Sequence, residues 1–306
     1  MLAIQTLLGS SIDYAGLFPP AGLDMQPAVD NYARYRTGPE AWALARFILP
    51  AGRLAEFESA AAPHLSSVPL TQPWHLGALA GPDLTADLSL IAAFNLRHAG
   101  PGEETATVDT IELKATSVEA IEDTTKQIPD QLQAYIEIPI NDAPADLIGA
   151  IARRGARAKV RTGGITHEAF PRSADLVRFI VACVQARVPF KATAGLHHAM
   201  RAEYRLTYAP DSMSGPMFGF LNLFLAAAFL RAGMREAEAQ GVLEETSPHA
   251  FHVQERTITW RNHHLDITAL RDARQDVVIS FGSCSFTEPL SELQTLHLLE
   301  SRAQRA

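Results

Sequence analysis

The chain has 306 residues, 47% hydrophobic and 20% charged, with a formal net charge of −8. That length buries a core without disulfide or metal staples, and an acidic balance with no basic run sets nucleic acid aside as a partner. Cys183 and Cys284 are the only cysteines, far apart and outside any CxxC spacing, which excludes a disulfide framework and points to a reducing cytoplasm.

In chain order, a strand–loop–helix unit recurs. The opening residues lack the basic flank and apolar run of a signal peptide. A short first strand ends near Asp13 and Tyr14, followed by the loop AGLFPPAG and a helix over 26–36. The second strand, 43–49, leads to a helix over 53–62, and the third, 74–79, to one over 84–96. Strands at 108–114, 132–138 and 156–161 precede helices at 118–127, 145–154 and 173–186. The seventh strand, 188–193, runs into a long loop and an apolar helix beginning near Pro216. Its greasiest part, 217–230, is shorter than the roughly 20 residues a membrane span needs, so a buried or interface helix is expected and no membrane partner. The segment 234–276, a helix plus the partly β stretch HVQERTITW, reads as an insertion before the last strand at 277–281. GSCSF and a terminal helix over 290–302 close the chain.

Eight such units match an α/β protein of the (β/α)8 TIM-barrel class, whose typical length is about 250 residues with insertions allowed. A doubly wound sheet announces itself by GxGxxG after its first strand, and GLFPPAG is not that motif. With no internal repeat or linker, one domain over 1–306 is expected.

Charged residues alternate with apolar ones in these strands: Arg46 in ARFILP, Glu112 and Lys114 in TIELKA, Glu137 in AYIEIP, Lys159 and Arg161 in AKVRTGG, and Lys191 in PFKATAG. Successive strand side chains point to opposite faces. Ile111, Leu113, Ile136, Ile138, Ala158, Val160, Phe190 and Ala192 therefore face covering helices, while five cations and two carboxylates converge inside. Such convergence is costly unless it serves a purpose. Lys114, Glu137, Lys159, Arg161 and Lys191 come late in their strands, near the mouth where barrel active sites lie. Gly163, Gly164, Gly195 and Gly282 follow directly, as backbone cradles for an oxyanion or phosphate. The competing reading is an ion-pair network that merely fills the barrel. Lysines packed among cations in a partly dry pocket have depressed pKa values, as imine formation or proton abstraction requires.

At this point the chain resembles the class I deoxyribose-phosphate aldolase family. The matching pieces are Glu137, GARAKVRTGG (155–164) and PFKATAG (189–195), within 134–198. The family's runs are a glutamate late in strand five, G-A-x-x-x-K-T-S-T-G on strand six and V-K-A-S-G-G on strand seven. The resemblance implies an imine-forming lysine on strand six and a second lysine on strand seven that lowers its pKa. An ungapped match sets Val160 at the imine position and a one-residue shift brings Lys159 there, whereas Lys191 matches without gaps. Asp109, early in VDTIELKA, loosely matches the family's strand-four segment or is structural.

His197 and His198 follow the strand-seven glycine, and Ser283 lies in FGSCSF beyond the last strand. With no HxH or HExxH spacing and several nearby cations, no metal and no cofactor is expected; the alternative is a metal-dependent enzyme using His197, His198 and Glu137. His75 reads as an interior histidine, and Cys284 as a packed thiol or a nucleophile. The leading expectation is a lyase or isomerase acting on a small anionic carbonyl or phosphorylated metabolite by imine or enolate chemistry. Lys191, Lys159, Glu137 and Lys114 would be its catalytic groups. Arg161, Arg46 and Asp13 would bind substrate with the glycine loops, His197, His198 and Ser283. A barrel that binds an anion without turnover is the alternative from another class, with a homo-oligomer allowed. The stretch 206–216 is expected to be a lid loop over the mouth.

Overall fold

Eight parallel strands close into a barrel in the computed structural model, which describes residues 1–66, 72–100, 103–140 and 143–299. They are β1 (Ile12–Tyr14), β2 (Leu44–Pro50), β3 (Trp74–Leu79), β4 (Ala106–Lys114), β5 (Gln133–Glu137), β6 (Arg157–Arg161), β7 (Phe190–Thr193) and β8 (Val278–Ser283). Each pairs with its sequence neighbour, and β1 joins β8 to β2. Sequential parallel pairing with helical crossovers is the TIM-barrel arrangement.

Helices α1 (Leu2–Leu8), α2 (Met25–Arg36), α3 (Leu54–Leu65), α4 (Leu84–His98), α5 (Val118–Thr125), α6 (Ala145–Arg153) and α7 (Ser173–Ala186) accompany the first seven strands. Several starts are written locally: Asp83 and Ser117 accept backbone N–H groups of the first turns of α4 and α5, which satisfies donors a helix leaves open. The apolar alternates Ile111, Leu113, Ile136, Ile138, Ala158, Val160, Phe190 and Ala192 all lie in the hydrophobic core with helix residues such as Phe57, Ile148 and Phe179.

Two departures from alternation matter for the site. Leu76 pairs with Val108 but Gly77 with Thr110, so Asp109 is an extra residue on β4 and the strand is bulged there. Beyond β7, Ala202–Arg205 and Ser214–Met217 form an antiparallel hairpin where a plain loop over 206–216 was expected. The second arm contains Gly215 and Pro216, residues that ordinarily punctuate strands.

The apolar segment becomes α8 (Phe220–Arg231), buried at every position from 220 to 230. Phe220 stacks on Phe281 of β8 at 4.9 Å and Phe224 meets the same ring edge-on at 5.7 Å. The helix is internal, and among the described residues no helix is long and apolar enough to cross a membrane. Before β8 come α9 (Glu236–Glu244), a three-stranded antiparallel sheet (Phe251–Val253, Thr257–Trp260, His263–Asp266) and α10 (Ile267–Asp276). The last helix, α11 (Thr287–Thr295), is shorter than expected at its C-terminal end. Leu298 and Leu299 turn back onto the Leu293 carbonyl and bury their side chains, which stops it. Positions 300–302 of the expected helix lie outside the described residues.

Candidate active site

Contacts between strands that are not neighbours can only be made through the barrel interior. Lys191 on β7 reaches Asp13 on β1 at 2.5 Å and Glu112 on β4 at 2.6 Å. The other Glu112 oxygen lies 2.7 Å from Lys159 on β6, whose ammonium is also 2.7 Å from Glu137 on β5. Ser280 on β8 donates to Asp13 at 2.7 Å, and the ammonium of Lys191 sits 5.4 Å from the Tyr135 ring centroid. The result is a chain, Asp13–Lys191–Glu112–Lys159–Glu137, with every member buried.

The expected excess of cations is reversed here: three carboxylates meet two lysines. The balance differs because Asp13 joins the cluster, while Arg46, Lys114 and Arg161 lie apart from it. The expected depression of lysine pKa fails with it at Lys191. Burial pushes Lys191 down, but Asp13 and Glu112 overcome that and hold it above the ordinary lysine range. Burial likewise pushes Glu112 up, yet Lys159 and Lys191 outweigh it and bring it to about 2. Both groups of this pair are charged at neutral pH.

Above this chain opens a cavity of about 320 Å³ at the C-terminal ends of the strands. Lys159, Lys191 and Glu112 form its floor; Phe18 and Pro20 from the loop after β1, Ile48, Leu79, and Leu206 and Met217 from the hairpin form apolar walls. Arg161, Gly164, Gly195, His197 and Cys284 also line it. The backbone is tightly drawn: Ala194 and Gly195 have φ of 66° and 70°, and Thr162 donates its hydroxyl to the Ala194 carbonyl at 2.7 Å. A side chain at Gly163 would come within 2.4 Å of the Phe170 ring, so the loop after β6 packs closely only as glycine. Ser283 is buried, its hydroxyl donating to the Ser285 carbonyl at 2.6 Å.

His197 places Nδ1 3.4 Å from Ser283 Oγ and 3.7 Å from Cys284 Sγ. Burial, with help from His198, lowers its pKa to about 4, so it is neutral at pH 7. Burial pushes the Cys284 thiol up, which is a packed thiol's setting and not that of a nucleophilic thiolate. His198 turns away, 2.6 Å from Glu292 and stacked on Tyr204 at 3.4 Å between centroids.

Three other cations expected to converge with Lys159 and Lys191 lie apart, two at the rim and one at the opposite end of the barrel. Lys114 ends β4 with its side chain 75% exposed, 3.6 Å from Glu137. Arg161 is exposed at the rim and has no ion-pair partner among the described residues. Arg46 is not a clamp at the mouth: it pairs with Asp109 at 2.6 and 2.8 Å near the N-terminal ends of the strands. Its place early in β2, and the bulge that turns Asp109 inward, put it there. His75 joins the same pair at 2.9 Å. The metal alternative built on His197, His198 and Glu137 has no matching geometry; among the described residues no three His, Cys, Asp or Glu side chains could hold one ion.

Glu112 stands out in the strand pattern, but only the fold sets it opposite two lysines. Ser280 carried the same signal, a polar residue on the inward alternation of β8. Comparison of the chain with family models, curated proteins and solved structures finds no match.

Proposed function

We propose that this barrel is an enzyme that stabilises an enolate, a lyase or isomerase acting on a small carbonyl compound bearing an anionic group. The observation that carries this reading is one buried carboxylate, Glu112, bridging two lysine ammoniums on the floor of the mouth cavity. Ammoniums held in a dry site are hydrogen-bond donors and fixed positive charge, suited to a carbonyl oxygen that becomes an enolate oxygen. A lysine kept protonated by two carboxylates is a poor amine nucleophile, which favours the enolate route over an imine on Lys191.

Glu112 lines the cavity and is the natural proton carrier. Its low pKa depends on the two lysines; as a substrate oxygen takes a lysine N–H, Glu112 becomes more basic and accepts the proton from the carbon beside the carbonyl. Asp13 helps to keep Lys191 charged, and Glu137 holds Lys159 in place. The apolar walls seat the substrate's carbon skeleton, and Arg161 at the rim receives its anionic group.

The test is hydrogen–deuterium exchange in D2O, followed by NMR, on a panel of 2-oxo acids, hydroxyketones and their phosphate esters. We expect exchange at the carbon beside the carbonyl, slowed roughly 100-fold or more in Glu112→Gln and weakened through KM in Arg161→Gln. Borohydride should trap no adduct. A lysine adduct would replace the enolate route with an imine, and neither exchange nor adduct across the panel would leave only the binding reading.

A further inference from the structure

We infer that the N-terminal end of the barrel, opposite the mouth, carries a second site that binds the oxyanion of a small molecule, a phosphate or carboxylate group. A cavity of about 460 Å³ lies there, lined by Arg36, Trp42, Arg46, Gln72, His75 and Asp109 among others. Its polar groups are mostly donors. Asp109 is the only carboxylate among the lining residues, and its oxygens are already taken by Arg46 Nε at 2.6 Å, Arg46 Nη2 at 2.8 Å and His75 Nδ1 at 2.9 Å.

Burial pushes Asp109 up, but His75 and Arg46 outweigh it and its pKa is lowered, so the ionised carboxylate makes His75 Nδ1 the donor. Nε2 of His75 then has no partner among the described residues.

Two further donors are held in place. Arg36 lies 5.6 Å over the Trp74 ring and spends one N–H on the Gln72 carbonyl at 2.8 Å; a guanidinium has five such donors. The indole N–H of Trp42 is buried and has no acceptor among the described residues. A buried donor left unmade costs about 1–3 kcal/mol, and a bound oxyanion would supply the missing acceptor. Two guanidiniums against one carboxylate leave this cavity positive in a chain whose net charge is −8. The inference is independent of the enolate reading, because no residue of the mouth cavity lines this one.

Isothermal titration of the full chain with sodium phosphate, and separately with sodium acetate, at constant ionic strength tests it. At least one anion should bind at a single saturable site. Trp42→Phe keeps the ring and removes only the N–H, and Arg36→Gln removes one guanidinium. Each should weaken binding by roughly tenfold or more, with the thermal transition of each variant showing that it folds. Arg231→Gln, on the outer surface and lining neither cavity, should leave the affinity unchanged. No saturable heat with either anion overturns the inference. So does binding that survives both Trp42→Phe and Arg36→Gln, which would put the anion elsewhere.

Discussion

Glu112 holds two ammoniums at once, and its stability contribution has a definite pH window. Its folded pKa, about 2, lies below the 4.5 of an unperturbed glutamate. A depressed carboxylate pKa contributes stability that is complete above the unfolded value and is lost as pH falls through the folded one. The urea midpoint should therefore drop between pH 4.5 and 2 in the native chain and more shallowly in Glu112→Gln, as followed by fluorescence. Lys191 makes the complementary case. Lys191→Met strips the shared cation from Asp13 and Glu112, and removing one partner of a buried ion pair costs about 3–5 kcal/mol. That loss should shrink as the pH falls, because protonation removes a stranded buried charge. An unchanged thermal midpoint at pH 7 would mean that the lysine is replaceable filler.

At the scale of elements, α8 and the hairpin make opposite demands. Asn222 is the polar residue inside an otherwise apolar helix, and its amide serves three backbone groups. It donates to the Val242 and Glu245 carbonyls at 2.8 Å each and accepts the Arg201 N–H at 2.9 Å. Asn222→Leu suits the hydropathy of the helix but strands those groups. It should destabilise the chain by about 1–3 kcal/mol, seen as a lower chemical-denaturation midpoint.

The hairpin rests on the mouth through Leu206 and Met217, both buried, while its tip is exposed at Tyr208 and Met213. Tyr208 is tied to the Glu288 carboxylate at 3.0 Å. Tyr208→Phe cuts that tie and keeps the ring, so chymotrypsin should nick the tip several-fold faster while global stability changes by less than about 1 kcal/mol. Cleavage at an unchanged rate would show that the tie does not hold the hairpin down. The hairpin's arms escaped a sequence reading because Glu203 pairs with Pro216, and a proline in an edge strand looks like a strand breaker.

For the whole molecule, closure depends on a short seam. β1 has only three residues, is joined to β8 on one side and β2 on the other, and its register with β2 is irregular. α1 packs on α10, so the start of the chain is locked to a helix some 260 residues later by buried side chains including Leu7. Leu7→Ala removes a fully buried side chain from that lock and should cost about 2–5 kcal/mol. If closure is cooperative, far-UV dichroism and tryptophan fluorescence should shift to the same lower midpoint. Separate midpoints would show that α1 and α10 open ahead of the barrel.

Strand alternation, helix starts and the order of units are local properties, and the sequence by itself determined them. The third strand and the seventh helix fall at the expected residues, and Lys159 and Lys191 sit on the inward face as their alternation requires. Alternation chooses a face, but it chooses neither a level along the barrel axis nor a partner across it. Those depend on how far each strand is staggered against the next. Tertiary structure alone therefore sent Arg46 to the N-terminal end with the bulged Asp109 and brought Asp13 to Lys191 from 178 positions away. It also decided the direction of the Lys191 pKa shift, which follows from which charges lie nearest and not from how many the strands contain.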